Sequence, residues 1–309
     1  MIEEVARVEL PFDETLMIKK HRMEPEKGKD SGKRISIVTG IHGDELEGQF
    51  VAYELSRRIH AEQNLLTGTV DIYPAMNPLG VDSIMRGIPM FDLDMNRIFP
   101  GNKEGSMAEY VAAKAVEDIK GSDVCIDIHA SNIYLSEIPQ IRISEMTAKE
   151  LVPLARLINI DFIWVHQAAT VLESTLAHSL NSIGTKTLVV EMGVGMRVTK
   201  TLGMQLVDGI LNLMRELDMW QGETIVPKKP IESKDGNVHF LNAAASGIFL
   251  QNAYHGKEVR SGELIGEIVD PLAGKVLQKV FSPCDGLLFT LREYPVVYEG
   301  SLMGRILER

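Results

Sequence analysis

Five short apolar runs rich in β-branched residues punctuate the chain: SIVTG (36–40), TVDIYP (69–74), VCIDIHA (124–130), FIWVH (162–166) and TLVVEMG (187–193). Between them lie longer stretches whose apolar residues recur every three to four positions. This rhythm predicts an α/β layer fold with a largely parallel sheet. Two helices illustrate it. Val51, Leu55 and Ile59 share one face of a helix after the first run, and Leu202, Leu206, Ile210 and Leu213 share a face of another. Both faces are expected to pack on the sheet.

The pattern changes after QGETIVPKKPIESKDGN (221–237), where two prolines and mixed charge mark a linker. Beyond it come short strands separated by glycines, so the chain divides into a domain over 1–225 and a smaller all-β domain over 226–309. The second part contains a repeat: Val259, Gly262, Leu264, Gly266 and Ile268 return with the same spacing as Val297, Gly300, Leu302, Gly304 and Ile306. Two related β units are expected to pair into a small barrel or sandwich. The spacing resembles half-motifs of lipoyl and biotinyl carrier domains. The hairpin tip here reads VDPLAG, however, without the flanked lysine such carriers modify; Lys275 comes only after it.

At 309 residues and 45% apolar content the chain can fill a substantial core. A formal charge of −11 with no basic stripe excludes nucleic acid and anionic membrane as expected partners. The start MIEEVARVEL lacks a signal-peptide pattern and no window approaches about 18 uninterrupted apolar residues, so a cytoplasmic, soluble protein is expected. The two cysteines, Cys125 and Cys284, are too few for a disulfide framework or a thiolate metal site and are read as structural thiols.

Chemistry concentrates at the ends of the predicted strands. His42 and Glu45, in TGIHGDELEG, sit where a strand should end and a helix begin, and His129 ends another strand. All three can reach the carboxyl edge of the sheet, where open α/β folds place their sites. Two imidazoles and one carboxylate with a position left for water form the ligand set of a hydrolytic zinc site. Glu191 ends a third strand and is the candidate base for the water. Asp127, two residues before His129, either orients it or caps the strand. Arg97 follows Asn96 in DLDMNRIFPG and suits capture of a substrate carboxylate. Arg86 is a candidate for oxyanion stabilisation. Arg142, in IPQIRI, is either a second substrate contact or a surface charge on an edge strand.

The ordered set G-x-H-G-x-E, N-P…R…D-x-D-x-N-R-x-F-P-G, D-x-H and x-x-E-x-G resembles the succinylglutamate desuccinylase and aspartoacylase family, within the zinc carboxypeptidase superfamily. The likeness covers about Ile35 to Gly193 in motifs. It implies a carboxypeptidase-like mixed sheet flanked by helices, with a C-terminal β domain narrowing the cleft. It also implies one Zn2+ per chain on His42, Glu45 and His129, a water activated by Glu191, and oxyanion help from Arg86. Asn96 and Arg97 would hold the substrate carboxylate, and the reaction would be hydrolysis of the amide of a small N-acyl amino acid. The segment GIPMFDLDM (87–95) is longer than the resemblance implies, which leaves a displaced Arg86 open.

Two rival readings share these residues: a carboxypeptidase-like peptidase, and a non-catalytic binding protein that keeps the fold. The acyl group and amine, a homo-oligomeric state and the roles of His166 and His255 are left open, with His255 read as a turn residue within reach of the site. His21, His60, His178 and His239 have no motif around them, and Glu173 with Thr175 reads as a helix start.

Overall fold

The computed structural model describes residues 1–166, 173–234 and 237–309. Its central strands β3 (Arg34–Thr39), β4 (Thr69–Tyr73), β5 (Val124–Ala130) and β8 (Lys186–Gly193) pair in parallel in the order β4-β3-β5-β8. On one flank β2 (Thr15–Met23) runs antiparallel to β4 and carries β1 (Ile2–Glu9) as a hairpin. On the other, β6 (Leu135–Ser144) runs antiparallel to β8, and β7 (Phe162–His166) and β9 (Ile231–Lys234) continue parallel to β6. The sheet is therefore mixed, as the family resemblance implies. Periodicity alone overstated its parallel character, because an apolar run carries no record of the direction of its neighbour.

Period-two alternation divides the central strands between two faces. Ile35 and Ile37 of β3, Val124, Ile126 and Ile128 of β5, and Leu188, Val190 and Met192 of β8 join one buried cluster. Helices α1 (Glu47–Ala61) and α6 (Lys200–Glu216) cover that face. Val51, Leu55, Ile59, Leu206, Ile210 and Leu213 have no exposed surface there. Each such aliphatic side chain contributes roughly 1.5–3 kcal/mol by leaving water. The opposite face carries Asp127 and His129 of β5 and Glu191 of β8. The polar residues of VCIDIHA and TLVVEMG thus converge because the apolar ones must face α1 and α6.

The remaining helices are α2 (Pro78–Ser83), α3 (Met107–Ile119), α4 (Ala148–Ala155) and α5 (Leu176–Ser182). Thr175 caps α5 by accepting a hydrogen bond from the His178 backbone N–H at 3.2 Å, the helix start expected there. Among the described residues no helix is long and apolar enough to cross a membrane.

The C-terminal repeat folds as two interlocked units. The first contains β11 (Gly247–Gln251), β12 (Lys257–Val259), β13 (Leu264–Asp270) and β14 (Lys275–Phe281). The second contains β15 (Gly286–Arg292), β16 (Val296–Val297) and β17 (Leu302–Glu308), with β10 (Val238–Asn242) lying against β17. In each unit the first strand pairs with the third, β11 with β13 and β15 with β17. Each short middle strand crosses to the other unit, β12 to β15 and β16 to β11. Gly262 and Gly300 hold the same turn at φ +79° and +82°, a conformation L side chains avoid. The two layers share one core, including Phe249, Ile268, Leu288 and Ile306. Strand β15 also pairs with β6, so this β unit extends the large sheet.

Candidate active site

His42 and Glu45 lie in the loop between β3 and α1. The loop presses so closely on α2 that a Cβ added at Gly43 would stand 2.0 Å from the carbonyl carbon of Gly80. The two side chains and that of His129 are buried, and one ligand atom from each lies within 4.8 Å of the others. Glu45 is shared between the rings: its Oε1 is 2.7 Å from His42 Nδ1 and its Oε2 2.9 Å from His129 Nδ1. The Ala130 N–H also donates to Oε2 at 3.1 Å.

The far nitrogen of each ring faces another carboxylate. Asp94 Oδ1 is 3.0 Å from His42 Nε2. Asp127 Oδ2 is 3.2 Å from His129 Nε2, an ion-pair contact without the alignment of a hydrogen bond. Asp127 thus lies against His129, and among the described residues its carboxylate accepts no hydrogen bond that would cap a turn. Burial disfavours charge on His42, but hydrogen bonds to Asp94 and Glu45 outweigh it and raise its pKa. Burial likewise opposes charge on His129, and the Asp127 and Glu45 carboxylates overcome it and push its pKa well up. Burial alone would raise the pKa of Glu45; the two imidazoles lower it instead.

Arg86 is not displaced by its long loop. Its Nη1 donates to Glu45 Oε1 at 2.9 Å and its Nη2 reaches Asp94 Oδ2 at 3.4 Å. Glu191 stands beside His129 in the parallel ladder, with side chains on the same face and strands about 4.8 Å apart. Burial raises its pKa in spite of the nearby Arg142 guanidinium.

Arg142 corrects one alternative: β6 is an interior strand with partners on both sides, and Arg142 donates from Nη1 to Glu191 Oε1 at 3.2 Å, so it is no surface charge. Asn96 and Arg97 line the same cavity of about 870 Å3 as the histidines and Glu191. The Asn96 side-chain oxygen accepts the Leu176 N–H at 3.0 Å, and Arg97 donates to the Asn96 carbonyl at 2.8 Å. His166 also lines the cavity. His255 does not; it sits behind β6 with its Nε2 3.3 Å from Ser136 Oγ.

Sequence reasoning gave no role to Asp94, Glu137 or Arg305, all of which belong to this site. Asp94 carried a signal, standing two residues before Asn96 in DLDMNR. The other two carried none, because strand pairing across distant parts of the chain brings them in.

A model of the succinylglutamate desuccinylase/aspartoacylase catalytic domain matches residues 31–217. The chain belongs to this family. N-alpha-acetyl-L-2,4-diaminobutyric acid deacetylase of Halomonas elongata is 35% identical over 112 residues, which span 36% of this chain and 32% of that protein. Among solved structures, a succinylglutamate desuccinylase from Silicibacter sp. TM1040 shares 20% identity with a TM-score of 0.85, covering 99% of this chain and 95% of that one. Product-bound EutE (DoeB), an ectoine utilization protein of Ruegeria pomeroyi, shares 18% identity with a TM-score of 0.84, covering 100% and 95%. At these identities the likeness establishes the fold, and the match extends the desuccinylase/aspartoacylase architecture through the C-terminal β unit.

Proposed function

We propose that this chain hydrolyses the linear amide of a small N-acyl amino acid, using one zinc ion held by His42, Glu45 and His129. The observation that carries the reading is the convergence of these three buried ligands with Glu191 one strand away on the same sheet face. Two imidazoles and a carboxylate are a donor set that zinc takes in catalytic centres, and each ring has a carboxylate within 3.2 Å of its far nitrogen. A zinc ion held by these three residues would supply Lewis-acid polarisation of a scissile carbonyl and would make water more acidic.

The protein's own groups supply the rest. Glu191 accepts the water proton on a carboxylate oxygen and returns it to the departing amine nitrogen. Arg86, 41% exposed at the cavity mouth, directs N–H groups at the oxygen that gains charge. Asn96 and Arg97 hold the substrate carboxylate in the wall of the cavity. The carboxypeptidase-like unit is assigned to residues 1–225, with β9 of the following segment added to its sheet, and 226–309 border its cavity through Arg305. That border favours a small acyl amide over an extended peptide. The name of the Halomonas elongata relative points to an N-acetyl diamino acid, whose carboxylate and free ammonium would meet Arg97 and Glu173 in one cavity.

The test pairs metal content of the purified protein with amine release from N-acetyl, N-succinyl and N-aspartyl-type amides, N-acetyl diaminobutyrate and short peptides, with and without chelator. Chelator-sensitive cleavage of one acyl amide, lost by on the order of 10²–10⁴-fold in Glu191→Gln with metal retained, is expected. Cleavage of peptides alone, or a Glu191→Gln enzyme at full rate, contradicts the reading.

A further inference from the structure

Among the described residues, the most heavily hydrogen-bonded acid of the cavity has no part in this scheme. Glu137, 1% exposed, accepts from Arg142 Nη2 at 3.0 and 2.8 Å on its two oxygens and from Gln140 Nε2 at 2.9 Å. Arg305 Nη1 donates to it at 2.6 Å and Thr290 Oγ1 at 3.4 Å. Arg142 in turn meets Glu191 through its other terminal nitrogen at 3.2 Å. The charges alternate along Glu191, Arg142, Glu137 and Arg305, and both guanidinium groups lie over Trp164, 5.7 and 5.8 Å from its ring centre.

Two irregularities in the sheet build this row. Glu137 and Arg142 are five residues apart and would face opposite ways on a regular strand. The β6–β8 register takes three steps from Glu137 to Gln140 against two from Gly193 to Glu191, which returns both side chains to the cavity face. The β15–β17 register shifts likewise between Leu288 and Thr290, so that Glu137, Thr290 and Arg305 stand in one line across three strands. Bulges that re-aim side chains beside a site are a device for placing groups.

We propose that Glu137, supported by Arg305 of the C-terminal unit, is a positioning residue that holds Arg142 to a single-nitrogen contact with Glu191. An arginine fork left to itself grips a carboxylate with two parallel bonds. Glu137 takes Nη2, so Arg142 meets Glu191 with Nη1 and does not clamp both oxygens of the group that must receive a proton. The effect on turnover rests on the role given to Glu191 above; the effect on geometry does not.

The experiment combines kinetics on the best amide of the panel with crystal structures of Glu137→Gln, Arg305→Met and Arg305→Lys. Glu137→Gln is expected to lower kcat on the order of 10- to 100-fold, with KM within about twofold and metal content unchanged. Its crystal structure is expected to show Arg142 gripping Glu191 with both terminal nitrogens. Should that variant fail to fold, Arg305→Met reads the same link from the other end: Glu137 draws Arg142 off Glu191 and kcat falls about tenfold, while Arg305→Lys restores it to within about threefold. An unchanged single contact between Arg142 and Glu191 in these variants overturns the proposal, as does a rise in KM with kcat intact, which would make Arg142 a substrate ligand. If the parent protein cleaves no amide, the assigned function fails, and the crystal structures still decide the positioning.

Discussion

Asp94 approaches His42 from the side of the ring opposite Glu45, 3.0 Å from Nε2 while Glu45 holds Nδ1 at 2.7 Å. A histidine held in this way has its ring orientation set by protein groups alone. Asp94 also accepts from the Asn96 N–H at 2.8 Å, so one side chain ties the proposed ligand to the segment proposed to hold substrate.

Asp94→Asn keeps an acceptor for the Asn96 N–H but loses the charge behind His42. Zinc affinity is expected to fall about 10- to 100-fold with little change in folding, measured by competition with a chromogenic chelator. Unchanged affinity would show that His42 needs no carboxylate behind it.

The pH dependence of stability should reverse sign with metal. In the metal-free protein the pKa values of His42 and His129 are raised, so their contribution is complete below the unfolded value of about 6.5 and is lost as pH rises through the folded values. Bound metal requires neutral imidazoles, so its contribution grows with pH instead. Glu45, with a lowered pKa, stays ionised throughout this window and adds no slope. Melting temperatures from pH 6 to 9, with chelator and with zinc, should diverge; parallel curves would contradict the ligand assignment.

Arg97 is exposed at the cavity wall and its side chain donates to the neighbouring Asn96 carbonyl. Its truncation therefore leaves no buried charge unpaired. Arg97→Ala should raise KM for carboxylate-bearing amides by about tenfold or more and leave kcat nearly unchanged, since uniform binding is what it supplies. Steady-state kinetics against the matching carboxamide substrate, for which the variant should show no defect, checks this.

Gly43→Ala tests the loop itself. The added carbon would collide with backbone of α2, which no side-chain rotation relieves. The loop must shift, and with it His42 and Glu45 on either side. Metal content measured by mass spectrometry should fall well below one per chain while the far-ultraviolet circular dichroism stays that of the parent.

Much of this site was legible in the chain because local rules suffice for it. Strand ends, alternation and Gly-flanked turns are properties of a few adjacent residues, so His42, Glu45, His129 and Glu191 could be placed on one sheet edge from spacing. The two apolar faces of α1 and α6 were legible for the same reason. Sheet direction was not: β6 returns antiparallel beside β8, and nothing within IPQIRI distinguishes that from an edge strand.

The sequence by itself determined which residue types reach the carboxyl edge, since period-two alternation in VCIDIHA and TLVVEMG must send the polar residues away from the helices that bury Ile126 and Val190. Only the tertiary structure decided how those charges are partnered. Glu137 and Arg305 are 168 residues apart and meet across β15 through a register shift in its pairing with β17, and register follows from the pairing of whole strands. A carboxylate's neighbours set its proton affinity, and in this protein those neighbours come from distant strands.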